Sequence, residues 1–435
     1  MNRSIRTICI CISVLLICSA CQNNVPLDFS VEYNPTTDFQ YNLEYDDLGL
    51  SYITESPDGF YFIDGIYLYY MDKETLSPVP LCKKADCLHD KETDPYKKSS
   101  CEAFLGGGDH SIFYYDNAIY MLGLGMKGDN TQSYKKQYVL KKYTTDGTYL
   151  EDIYTFPKSP QAIIRHRGII YYTYQDINTI REGNTNGTYK LMSFSLENKE
   201  EHELFVDDLV DGTLDKLIAY GKYLYIYRNG RSPDSDPNNQ ESYREETLAY
   251  DLETGAIQSV QATEKGVPSF PIPYENSLLY SYWFYHYQDE RNRTVYQAGL
   301  DGQNPKELFQ TKTLSNRIAW DGTYLYEDNR PLVYIAQLEP KREIIIYNHA
   351  LEECDVISFE NVENGPKGID FSSVNMDALR ISDDYIFTKC SGPDHQGSYL
   401  ICIDKAEIGT GNITPRIIWQ KEAQYQSEEY VLDTQ

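Results

Sequence analysis

Residues 249–260 read AYDLETGAIQSV, and the recurrence of this plan along the chain decides the fold. Apolar residues lead into Asp251, a Leu-Glu-Thr-Gly turn follows, and apolar residues alternate again beyond it. Period-two alternation on both sides of a turn rich in Asp, Thr and Gly is the mark of a β-hairpin. Six further stretches follow the same plan. They are YYMDKETLSPV (69–79), KYTTDGTYLEDI (142–153), SFSLENKEEHEL (193–204), AGLDGQNPKELF (298–309), IYNHALEECDVI (346–357) and CIDKAEIGTGNITPRII (402–418). Ahead of each hairpin lies an aromatic run, anchored at Tyr61, Tyr120, Tyr171, Tyr225, Tyr280, Tyr326 and Phe387. A tight turn and another apolar run precede each anchor. Four antiparallel strands recurring about every 53 residues describe a β-propeller. A single repeat cannot bury both of its faces, so neighbouring blades supply each other's core. The expectation is an all-β chain forming one propeller of about seven four-stranded blades over residues 48–422. Six or eight blades are the alternatives if the first or last unit is misread.

The composition agrees with this reading. The chain has 435 residues, of which 41 are Tyr, a residue suited to strands and half-wet surfaces. With 39 basic against 66 acidic side chains the net charge is −27, which argues against a nucleic-acid partner, since phosphate backbones demand clustered Lys and Arg.

The N-terminus reads as an address. Arg3 and Arg6 precede a ten-residue apolar run from Ile8 to Ile17, too short to span a bilayer but suited to a signal peptide. Cys18-Ser19-Ala20-Cys21 then resembles the lipobox of bacterial lipoprotein signals, departing from it at Cys18, where Leu is usual. The resemblance implies cleavage before Cys21 and a lipid on its sulfur. The expected organisation is a signal peptide at 1–20, a polar spacer at 21–47 after lipidated Cys21, the propeller, and an acidic tail at 423–435.

Cys82, Cys87, His89 and Cys101, in PLCKKADCLHD…CEAF, are the densest grouping of metal-capable side chains. Three thiolates and an imidazole can close a tetrahedral zinc site. Outside the membrane a disulfide from Cys101 to Cys82 or Cys87 is equally natural, and free thiols remain a third reading. Asp234, Asp236, Asn238, Gln240, Ser242 and Glu245 fall at the ligand positions of a Ca²⁺ loop. Pro237, Asn239 and Glu241 depart from that motif, which favours a solvated acidic loop. Cys402 is expected opposite about residue 386, too far from Cys390 for a bridge. The expectation is therefore no cofactor beyond a structural Zn or Ca. Together the lipobox, the Tyr-rich blades and the Cys segment resemble the TolB-like β-propeller lipoproteins of Gram-positive gut bacteria, many of them domains of unknown function. That resemblance implies fold and anchoring, and no chemistry.

In a four-stranded meander, second-to-third-strand loops and blade-to-blade connections share one face, and the other hairpins share the opposite face. Long polar stretches fall on the first of these: residues 125–133, 178–188, 228–242, 287–294, 390–398 and the connection 82–108. Long loops cost ordering entropy and are usually kept for binding. The tight turns, among them Asp116-Asn117 and Arg167-Gly168, with Asp64-Gly65 beside the first, are assigned to the opposite face. Serine-hydrolase, zinc-protease and P-loop motifs are absent. The functional expectation is an extracytoplasmic propeller, held to the bacterial membrane by its lipid, that binds an envelope protein or glycan through its long-loop face without catalysis. The alternative is a glycan-processing or other hydrolytic propeller with paired carboxylates.

Overall fold

Every third-to-fourth-strand hairpin turns on an Asp or Asn side chain. Asp72, Asp146, Asn198, Asp251, Asp301, Asn348 and Asp404 each accept a hydrogen bond from the backbone N–H two residues on, at 2.8–3.1 Å. The side chain thereby replaces a backbone turn partner, which is why these residues punctuate the repeat. In the two most similar hairpins the chain then reverses through a left-handed residue, Leu76 at φ 46° and Gly255 at φ 71°. Glycine takes that conformation without strain, whereas leucine does so at a cost.

The computed structural model describes residues 45–46, 49–105, 111–127, 135–181, 184–232, 243–260, 267–268, 271–283, 293–312, 318–329, 341–367, 369–374, 376–391 and 397–421. Their strands make seven four-stranded antiparallel blades, each from consecutive sequence. Blade one spans residues 53–80, blade two 111–155, blade six 318–358 and blade seven 380–421. Blades three and four are joined: the strand Glu201–Tyr220 is the outer strand of one and the inner strand of the next. Blade five lies between residues 267 and 310. All seven aromatic anchors lie on second strands, as the repeat predicts.

Fourth strands are the most exposed of each blade, as they must be when first strands line the axis. Ala162–His166 is buried throughout, whereas Ile257–Ser259 is exposed throughout. Alternate residues of one strand serve opposite neighbours. Phe60 and Phe62 pack with Phe387 and Leu400 of blade seven, while Tyr61 and Ile63 pack with Ile112 and Ile119 of blade two. The core is accordingly divided into seven clusters, one at each blade interface, and the seventh closes the ring.

The tyrosine content follows from these interfaces. A Tyr ring supplies core while its hydroxyl satisfies a carbonyl of the next blade's hairpin. Tyr61 Oη donates to Thr145 O at 2.9 Å and Tyr225 Oη to Leu300 O at 2.7 Å. Burial pushes the Tyr61 phenol up to about 12.

Two expectations are corrected and one holds. Asp64-Gly65 joins the second and third strands of blade one; the first-to-second turn is residues 56–58. The polar stretch 178–188 is largely paired strand, with Thr179 opposite Asn186 and Arg181 opposite Asn184, because pairing satisfies backbone groups whatever the side chains. Cys402 lies opposite Phe387, within one residue of the expected position, and Cys390 lies opposite Tyr399. Both thiols are free and buried, and burial pushes the Cys390 thiol up to about 12. The segment 1–44, including Cys21, lies outside the described residues, as do 233–242 and 422–435. Tyr45–Asp46 pairs with Gly49–Leu50, and Gly49 pairs in parallel with Ile163 of blade three.

Candidate metal centre

After the short fourth strand Val79–Pro80 the chain does not pass straight to blade two. Residues 81–105 fold back over the start of blade one's third strand. Leu68 N–H donates to Ala103 O at 2.9 Å, and Leu105 N–H to Ile66 O at 2.8 Å. Within this connector Cys87 N–H turns back to Lys84 O at 3.3 Å. A 3₁₀ turn at His89–Lys91 follows, then one helical turn at Pro95–Ser99. Asp94 caps that turn, accepting from Tyr96 N–H at 2.9 Å. Cys101 N–H donates to Lys98 O at 3.1 Å, which carries the chain inward and buries Cys101 and Ala103 in the cluster at the blade seven–blade one seam.

This path brings Cys82, Cys87, His89 and Cys101 together, with their ligand atoms all within 4.8 Å of one another. Cys101 Sγ lies 3.6 Å from His89 Nδ1. The His89 backbone N–H donates to Cys87 Sγ at 3.4 Å. His89 holds a left-handed φ of 52°, a strained setting for a residue with a Cβ. Blade one fixes it there: Tyr67 Oη donates to His89 O at 3.0 Å, and Tyr69 Oη to Asp90 Oδ2 at 3.2 Å. All three cysteines are free thiols.

The thiols differ in ease of ionisation. Burial opposes ionisation of Cys82, yet hydrogen bonds from the Lys84 and Glu102 backbone and the neighbouring Cys101 and Cys87 thiols outweigh it and hold its pKa below the ordinary value. Burial, reinforced by Cys87, pushes Cys101 up to about 12. Cys82 is therefore the easier of the two thiols to ionise, and Cys101 the harder.

The Ca²⁺-loop candidates Asp234, Asp236, Asn238, Gln240 and Ser242 lie outside the described residues, and Glu245 sits in a strand opposite Asn229.

A site the sequence gives no sign of is Glu55, at the end of blade one's first strand on the opposite face. Burial raises its carboxyl pKa, against the pull of Lys73 at 2.5 Å, and Asp383 and Asp384 on blade seven's first hairpin add to the rise. Its proximity to blade seven exists only in the closed ring. The fully buried acids are likewise tied to partners: Asp328 to Arg342 at 2.8 Å, Asp64 to Lys389 at 2.7 Å, Asp321 to Lys405 at 2.6 Å, Asp251 to Lys222 at 3.1 Å, and Glu327 to the Tyr347 hydroxyl at 2.6 Å. Among the described residues no helix is long and apolar enough to cross a membrane.

No protein-family model matches the sequence, and no curated protein matches it. Among solved structures, the chain is similar to an oligogalacturonate lyase from Vibrio parahaemolyticus, at 13% identity over 90% of each chain with a TM-score of 0.48. It is also similar to a puromycin hydrolase, at 9% identity over 91% of this chain and 57% of that one, with a TM-score of 0.48. A periplasmic gluconolactonase from Pseudomonas aeruginosa matches at 10% identity over 89% of this chain and 95% of that one, with a TM-score of 0.45. At these values the likeness is one of architecture and assigns no activity.

Proposed function

We propose that the protein is a lipid-anchored, extracytoplasmic β-propeller that recognises an envelope protein or glycan on the face carrying its blade connectors, without catalysing a reaction. The observation that supports this is the build of the connector 81–105. It is tied to blade one by backbone hydrogen bonds and a buried Cys101, yet it presents Tyr96, 89% exposed, and Leu88, 58% exposed, to solvent. A ledge ordered before binding loses less entropy on capture, and exposed aromatic residues on such ledges are favoured anchors. The anchoring part rests on Arg3, Arg6, the apolar run 8–17 and Cys21.

The test is a binding screen of the soluble chain from residue 22 against extracellular glycans and envelope proteins. Tyr96→Ala is expected to weaken the captured ligand at least tenfold, about 1.4 kcal/mol, and Glu253→Ala on the opposite hairpin to leave affinity unchanged. Equal loss from both, with melting unaltered, would reverse the choice of face. In cells, Cys21→Ala should release the protein to the medium with its binding intact; retention in the membrane fraction would remove the anchor.

A second reading, a glycan-processing or other hydrolytic propeller, is favoured by Glu55 alone. A partly buried carboxyl whose pKa is raised by burial is the kind of group a general acid requires. It lies on the opposite face from the connector, so ligand binding and hydrolysis would map to different variants.

A further inference from the structure

Three sulfurs and one ring nitrogen converge where blade one's connector meets the closing seam, and one disulfide would account for only two of the four groups. Zn–S bonds of about 2.3 Å and Zn–N bonds of about 2.0–2.1 Å at the tetrahedral angle place S and N about 3.6 Å apart. The Cys101 Sγ to His89 Nδ1 distance is 3.6 Å. The remaining separations, within 4.8 Å, close onto an ion with small shifts of the partly buried Cys82, Cys87 and His89 side chains toward the buried Cys101. The ligands are soft, all four come from protein, and the backbone donates to one of the sulfurs, at 3.4 Å. These are the features of a closed structural site rather than of one that keeps a coordination position open.

We infer that Cys82, Cys87, His89 and Cys101 bind one zinc ion through three thiolates and the neutral Nδ1 of His89, and that this ion clasps the connector onto the seam between blades seven and one. Binding displaces the thiol protons to solvent, and no electron transfer is involved. The location gives the ion its role. Among the described residues blades seven and one share no strand, and side chains hold their seam. Cys101 is buried in the same cluster as Phe60, Phe387 and Leu400, and Tyr69, which bonds the residue after His89, packs edge-on against Trp419 of blade seven at 5.2 Å. The inference stands independently of which ligand the exposed side of the connector takes.

The experiment uses the full chain purified without reductant or chelator. Native mass spectrometry is expected to show one zinc per chain and no mass loss from disulfide formation. Replacement of zinc by Co²⁺ should give the intense visible absorption of a tetrahedral thiolate site. Cys82→Ser, at the less buried ligand, should abolish or blue-shift that absorption while the blades remain folded; Cys101→Ser serves as the deeper comparison. In hydrogen exchange, removing the metal should speed exchange at residues 82–105 and along 60–69 and 398–402, and leave blades three to five unchanged. A metal-free chain two mass units light would assign a disulfide and overturn the inference. A metal-free chain with three free thiols, or tight zinc binding that changes exchange nowhere near the seam, would overturn it equally.

Discussion

The interfaces between blades three and four and between blades seven and one both bury an apolar cluster, but among the described residues only the first also carries a shared strand. At the first, the single strand Glu201–Tyr220 pairs with Asn184–Ser195 by its first half and with Tyr223–Arg231 by its second. The backbone is continuous, and the hydrogen bonding of one blade runs into the next. At the second, no strand crosses. Phe60 meets Phe387 edge-on at 4.9 Å, Phe62 meets Trp419 at 6.1 Å, and Asp64 binds Lys389 at 2.7 Å and the Ser398 hydroxyl at 2.6 Å. A seam that adds a shared strand to its side-chain cluster gains backbone pairing but resists any added atom where the strand bends. A seam made of side chains depends on the particular residues that fill it.

The largest effect should therefore come from emptying the side-chain seam. Phe387→Ala removes a fully buried ring and should cost about 3–5 kcal/mol, read as a fall in denaturant midpoint. A loss under about 1 kcal/mol would mean that the connector, and not the aromatic seam, closes the ring. The backbone seam should be sensitive in the other direction. A Cβ at Gly212 would sit 2.5 Å from Asn229 O and 2.8 Å from Leu209 Cβ, at the bend where one blade becomes the next. Gly212→Ala should cost about 1–3 kcal/mol, while truncations of exposed side chains on the same strand, such as Val206→Ala, should stay within about 0.5 kcal/mol. If Val206→Ala costs as much, the contrast between the two seams fails.

The smallest effect lies beside the side-chain seam, at Glu55. Its carboxyl pKa is raised in the folded chain, chiefly by burial. The stability this group contributes is therefore present below the ordinary Glu pKa of about 4.3 and is lost as pH rises through its folded value. Glu55→Gln, which cannot ionise, should match wild type in acid and equal or exceed it in melting temperature at neutral pH. Lower stability of the variant at neutral pH would show that the Lys73 pair outweighs burial. The same variant separates the two functional readings: loss of a polysaccharide hydrolysis seen in wild type would favour the enzyme.

How far the sequence carried the reading depends on how local each signal is. The seven hairpins were legible because an Asp or Asn and the amide it binds lie two residues apart, so turn chemistry is written in one place. The second-strand anchors were legible because alternation is also local. The shared strand was not: no local feature of FVDDLVDGTLD at 205–215 marks one strand serving two blades, and it does so because backbone partners on both sides pair with it. The stretch 178–188 misled for the same reason. The Cys–His group was visible as a cluster, but its convergence depends on the connector docking against Tyr67 and Tyr69, and spacing alone could not choose between bridge and metal. Glu55 was one of 66 acids until blade seven came round to meet it.

The side-chain seam between blades seven and one has a consequence in time. Each blade can complete its own ladder soon after its residues leave the ribosome. The apolar side of blade one carrying Phe60, Phe62 and Tyr69 must nevertheless wait for Phe387, Leu400 and Trp419, more than three hundred residues later. At about 5–20 residues per second that wait is on the order of 15–65 s. For this interval the nascent chain carries a sticky aromatic face with no partner of its own. The connector that lies over one end of that face is made within the next few seconds, long before the ring can shut.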